Sequence, residues 1–154
     1  MDNTPYLIKF KTSMIEFIDE LIKQFPKEPS FVLVRIFVND KLLITDVMGR
    51  FMKECLPYKN IIKKRDANFF IYSDFIYEQY VGDVGSENMS SFRKIWDSDN
   101  IDDDDKGVIW DWIELFLNMS ERYHNRFGCI EGWEFDLDTE MKHVEQLMSK
   151  YESP

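Results

Sequence analysis

Asp102, Asp103, Asp104 and Asp105 stand side by side ahead of Lys106 and Gly107. Four carboxylates in a row raise calcium first, because hard cations take oxygen ligands. A calcium loop needs oxygen ligands at its first, third, fifth and twelfth positions and glycine at the sixth. Counted from Asp102, Asp104 falls third, Lys106 fifth, Gly107 sixth and Ile113 twelfth. A lysine among the ligands and an isoleucine in the bidentate position defeat that loop. The same residues fit a helix start. Asp102 is placed as N-cap with Ile101 before it, and Asp103, Asp104 and Asp105 lie in a first turn whose free N–H groups and dipole favour carboxylates.

Other reactive side chains are few. The chain has two histidines, His124 and His143, and two cysteines, Cys55 and Cys129, with no HxxxH, CxxC or HExxH spacing, so no zinc site is expected. Six glycines form neither GxGxxG nor GxxxxGK, so no phosphate loop or nucleotide cofactor is expected either. Cys129 and His124 could make a nucleophile and base. The competing role for His124 is the last turn of a helix that stops before Gly128, where a partly cationic ring suits the dipole. Cys55 falls on an apolar helical stripe and reads as core filler. Carboxylate pairs such as Asp136 and Asp138 arise by chance in so acidic a chain. No catalytic, cofactor or metal residue is assigned.

Charge is distributed unevenly along the chain. Residues 1–72 hold 12 Lys/Arg and 9 Asp/Glu, net +3, while residues 73–154 hold 7 and 20, net −13. An acidic surface repels phosphate backbones, so nucleic acid is an unlikely partner unless Lys59, Lys63, Lys64 and Arg65 act alone. Those four otherwise read as a solvated helix end.

Helices must position all of these groups. Leu7, Phe10, Met14, Phe17, Ile18, Leu21, Ile22 and Phe25 recur at three and four residues up to Pro26. A second stripe runs from Ile44 through Val47, Met48, Phe51, Met52 and Cys55 to Leu56, stopped by Pro57. Between them, Phe31–Val38 is β-branched and nearly continuous in apolar residues, broken by Arg35. Helix is preferred there, with a small sheet against Phe69–Phe75 as the alternative. The aromatic stretch from Asn68 reads as a short element and then a loop through Gly82 and Gly85. A short helix is expected over Met89, Phe92, Ile95 and Trp96.

Val108, Ile109, Trp112, Ile113, Phe116, Met119 and Tyr123 form the main stripe of the second half. After a turn-rich break at Gly128–Phe135, Met141, Val144, Leu147, Met148 and Tyr151 mark a terminal helix. Trp110 lies about 200° from Trp112 at about 100° per residue, so one narrow core stripe cannot hold both indoles. Either the helix is packed all round, or Trp110 is an exposed anchor. Tryptophan is enriched at interfaces, so Trp110 is the expected anchor.

The segments "FIDELIKQFPKE", "VRIFVNDKLLITDVMGRFM", "KKRDANFF" and above all "DDDDKGVIWDWIELFLNMSERY" resemble a family of small acidic proteins encoded by giant nucleocytoplasmic large DNA viruses. The resemblance covers about residues 14–123 and not the tail from His124. It implies a setting in the host cytoplasm or viral factory and brings no catalytic residue with it. Two cysteines in unrelated contexts agree with a reducing compartment.

Length and apolar content fit one domain with a core of its own, 44% of residues being apolar and 16% aromatic. The N-terminus lacks the apolar core of a signal peptide, and no apolar run is long enough to span a bilayer. The expectation is a single all-α domain over residues 1–154, with six or seven helices. It is read as a non-enzymatic protein–protein interaction module whose partner presents a basic rim and an apolar pocket to Trp110 and Asp102–Asp105. The alternatives are a virion component, such as a minor capsid or core protein, and a small enzyme with dispersed site residues.

Overall fold

The computed structural model describes residues 2–67, 96 and 98–152. Regular structure among the described residues is helical throughout, with no strand. Helix α1 spans Thr4–Gln24, α2 Pro29–Ile36, α3 Ile44–Cys55, α4 Lys59–Lys63, α5 Asp103–Phe127 and α6 Leu137–Glu152. Five of these have eight residues or more, and α4 is little over one turn. The elements expected over residues 68–95, including the sheet alternative for Phe69–Phe75 and the start of the short helix before Trp96, lie outside the described residues.

Local signals account for the boundaries of the first half. Pro5 sits in the first turn of α1, and the helix stops at Phe25, whose N–H still reaches Leu21 O, because Pro26 cannot continue the ladder. Pro29 opens α2, a favoured place for a residue with no N–H to lose. The apolar run Phe31–Val38 is therefore helix, as preferred. Its last residues pass into a π-helical turn over Phe37–Lys41 that widens the coil before Leu42. At α3 the Leu43 N–H is held by Asp46 Oδ2 at 3.4 Å.

The core is aromatic, and Phe116 on α5 stands at its centre. Its ring is 5.7 Å from those of both Phe10 and Phe17 on α1, 6.1 Å from Phe51 on α3 and 5.9 Å from Trp112. Most of these pairs meet edge to face, the arrangement that the ring quadrupole favours. Met48, Met52, Leu56, Ile62 and Leu117 fill the remaining space without solvent contact. Two hydroxyls lie inside this face of α5 and both are satisfied: Ser120 donates to Leu117 O at 2.8 Å, and the Tyr123 oxygen accepts from Asn3 Nδ2 at 2.8 Å.

After α5 the chain turns at Gly128, whose φ of 77° suits glycine, and the loop swings Trp133 back onto α3. The indole lies against Gly49, where a Cβ would stand 2.6 Å from Trp133 Cδ1. Trp133 Nε1 donates to Asp46 Oδ1 at 3.0 Å, and the Arg50 guanidinium lies 5.4 Å from the ring centre. Asp46 thus holds both the start of its own helix and a residue 87 positions away.

Candidate functional site

Asp102 caps α5 as its sequence position implies. Its Oδ1 accepts the Asp105 N–H at 2.8 Å, and Asp105 Oδ2 accepts the Asp102 N–H at 3.0 Å, a reciprocal capping box. The hydrogen bond from the Asp105 backbone holds the Asp102 carboxyl below the usual aspartate range. Asp103 and Asp104 project into solvent, while Ile101 is buried beneath the turn. Among the described residues, no group of three or more His, Cys, Asp or Glu is disposed to hold a metal ion.

The expected anchor is corrected by burial. Trp110 is only 5% exposed, its ring packed edge-on to Trp96 with centroids 5.6 Å apart at 87°. Val108, assigned from the sequence to the core stripe, is 56% exposed. The reason is the width of the buried arc. Trp112, Phe116, Ile109, Ile113, Leu117 and Trp110 together cover about 160° of the helix at about 100° per residue, because α1, α3 and α4 all pack on it. A helix with that many neighbours can bury both indoles, Trp112 against Phe17 and Trp110 against Trp96.

What remains outside includes a line at four, three and four residues, Asp104, Val108, Asp111 and Leu115, which continues to Asn118 and Arg122. Arg65 is a further feature that sequence reading missed. It lies just past α4 with φ 54°, a left-handed position that costs a non-glycine residue about 1–2 kcal/mol. The two bonds of a Schellman motif form around it, Arg65 N to Ile62 O at 2.9 Å and Asp66 N to Ile61 O at 3.1 Å. From there the guanidinium reaches α5. Nε and Nη2 donate to the two oxygens of Glu114 at 2.9 and 3.2 Å, Nη2 also to Asp111 Oδ1 at 2.6 Å, and Nη1 to Gly107 O at 3.4 Å. This bidentate geometry is open to arginine and closed to lysine. With Lys63 also 3.3 Å from Glu121, half of the basic cluster Lys59, Lys63, Lys64 and Arg65 is turned onto the acidic helix.

The fold brings His124 and Cys129 together, Nε2 and Sγ being 3.9 Å apart. His124 occupies the last turn of α5 as expected, its carbonyl accepting the Gly128 N–H at 2.9 Å, and its ring stacks on Phe135. The Cys129 thiol donates to Phe135 O at 3.4 Å. Among the described residues, neither ring nitrogen of His124 has a carboxylate partner, so the orienting third member of a catalytic triad is missing there. Cys55 is on the apolar stripe, and burial pushes its thiol well above the usual range, a setting for packing and not for nucleophilic attack. Of the pair Asp136 and Asp138, Asp136 caps α6 by accepting the Thr139 N–H at 3.3 Å, and Asp138 lies in the first turn of that helix. No described helix is long and apolar enough to cross a membrane. No protein-family model, no curated protein and no solved structure matches the chain.

Proposed function

We propose that this chain is a non-enzymatic protein–protein interaction module working through the solvent side of α5. The observation that supports it is the exposed line Asp104, Val108, Asp111 and Leu115, in which two apolar side chains, 56 and 41% exposed, alternate with carboxylates. Asp111 is held by Arg65, so the acidic end of the line is Asp104 with the exposed Asp102 and Asp103, and it suits a partner with an apolar pocket and a basic rim. The pocket takes an aliphatic side chain, since the indole of Trp110 is turned inward. The resemblance to giant-virus proteins supplies the setting, a host cytoplasm or viral factory, and a place in the virion is the variant of this reading in which the partner is structural.

Affinity capture from infected cells, with the wild-type chain beside Val108→Arg and Leu115→Arg, tests the proposal. A basic partner retained by wild type at low salt, weakened by salt and lost from both variants, fits it. Each substitution should cost about 2 kcal/mol or more of binding if it removes an anchor. Equal capture by wild type and variants overturns it.

A further inference from the structure

The chain has two thiols, and the fold gives them different surroundings. Cys55 reaches the surface in part, but its thiol is enclosed by the core, and that burial pushes it well above the usual range. Cys129 follows the turn at Gly128, which folds the chain back over the last turn of α5 and sets Sγ 3.9 Å from His124 Nε2. Both partners are half-buried. Among the described residues, a Cβ built on Gly128 would meet nothing within 4 Å, chain neighbours apart, so open space borders the pair.

The pair is arranged for proton transfer. The His124 ring stacks on Phe135 with centroids 5.4 Å apart, which fixes its plane, and Phe135 O accepts the resting S–H at 3.4 Å. With the ring proton on Nδ1, Nε2 presents a lone pair to the same sulfur. Rotation about Cβ–Sγ alone turns the S–H from Phe135 O to Nε2. The proton then passes to the ring and leaves a thiolate beside an imidazolium, at a helix end where the dipole stabilises a cation. A thiolate is the form that attacks disulfide sulfur.

We infer that Cys129 is a modification site for a low-molecular-weight disulfide, with His124 as the base that frees the thiolate. Cys129 Sγ attacks one sulfur of the reagent, a new S–S bond forms, the reagent's own S–S bond breaks, and the departing thiolate takes up the proton held by His124. The reagent is the oxidant: Cys129 is oxidised to a mixed disulfide and the departing half is reduced to a thiol. Because no carboxylate orients His124 among the described residues, the pair suits one reversible exchange and not repeated turnover. The site lies at the end of α5 and in the loop after it, apart from Val108 and Leu115, and stands or falls separately from the interaction reading.

Millimolar oxidised glutathione added to the reduced, folded full chain, followed by intact mass and peptide mapping, reads the reaction directly. One glutathionyl group is expected, on Cys129, with Cys55 untouched and no adduct on a Cys129→Ser chain. His124→Gln keeps a polar group near the place of Nε2 but takes no proton, so it should slow the reaction about three- to tenfold at about pH 7 and match wild type above about pH 9, where a cysteine ionises without a base. A purely structural role for His124 would not make the difference depend on pH. The urea-unfolded wild-type chain, in which the imidazole is no longer held beside the thiol, gives a reference that needs no variant, and its Cys129 should react more slowly at about pH 7 than in the folded chain. No adduct on the folded chain, modification of Cys55 at a comparable rate, a folded His124→Gln chain as fast as wild type at about pH 7, or an unfolded chain as fast as the folded one overturns the inference.

Discussion

Helices α2 and α5 are both rich in apolar residues, and the fold treats them differently. Six of the eight residues of α2 are apolar or proline, yet only Ser30 and Phe31 are buried, and three aliphatic side chains face out. Helix α5 is interspersed with acids, yet it buries Ile109, Trp110, Ile113, Phe116, Leu117 and Tyr123. The difference lies in the neighbours. Helix α5 packs against α1, α3 and α4, while the principal neighbour of α2 is α1 alone. Apolar content measures how much a helix could bury; the number of elements around it decides how much it does.

That contrast breaks most visibly at the centre of α5. Phe116→Ala and Trp110→Ala should each lower unfolding free energy by about 3–5 kcal/mol in chemical denaturation. If Trp110→Ala costs under about 1 kcal/mol, the wide buried arc of α5 is wrong and the outward-anchor reading of that indole returns.

Helix α3 packs on both α1 and α5, and it carries a titrating group whose effect has a definite sign. Glu54 is part-buried, its Oε1 has no hydrogen-bond partner among the described residues, and burial raises its pKa from 4.5 to about 7 against the pull of Arg50 and Lys53. Because the folded value lies above the unfolded one, its contribution is fully present below about pH 4.5 and is lost as pH rises through about 7. Glu54→Gln should therefore flatten stability against pH between those values. At pH 8 it should stabilise the fold by on the order of 2 kcal/mol, a discount on the whole shift for a partly exposed group. Unchanged pH dependence in the variant would show that the carboxylate is ionised and solvated in the fold.

The third effect is at the seat of Trp133. Gly49→Ala should destabilise by about 1–2 kcal/mol, the clash with the indole outweighing the helix preference of alanine. In a Trp133→Ala background the same change should stabilise by about 0.5–1 kcal/mol. A destabilising effect in both backgrounds would mean that something other than the indole excludes a Cβ there.

Arg65 sharpens the comparison through charge. Its ion pairs are exposed, so Arg65→Ala should cost about 1 kcal/mol or less in low salt and less in high salt. Arg65→Gly should be the milder change by about 1 kcal/mol, because glycine relieves the left-handed backbone while losing the same pairs. Equal melting of the two variants argues against strain at that residue. The smallest effect belongs to α2. Val32→Ser should change unfolding free energy by less than about 0.5 kcal/mol in dilute solution, where α5 substitutions cost several times more.

Legibility in the sequence followed the reach of the interactions. The end of α1 at Pro26, the cap at Asp102 and the place of His124 in a last turn were readable, because each rests on bonds spanning three or four residues. The helical character of Phe31–Val38 was preferred on the lack of a nearby β partner, and α2 over Pro29–Ile36 with the π-helical turn after it bears that out. The pairing of the basic cluster with the acidic helix was not readable, since Arg65 and Glu114 are 49 positions apart. The sequence shows a charge imbalance between its halves; in space, part of that imbalance is closed by Lys63 and Arg65.

By itself, the sequence determined the helical character of the described residues and a reciprocally capped acidic helix, because hydrogen-bond periodicity, proline and capping act within one or two turns. Which side of α5 faces inward was decided only in the tertiary structure. Periodicity gives the angle between Trp110 and Trp112 but not the width of the arc that neighbouring helices cover, and that width put Trp110 inside and Val108 outside. The same holds for Trp133 on Gly49, a fit between two surfaces far apart in the chain that no local pattern encodes.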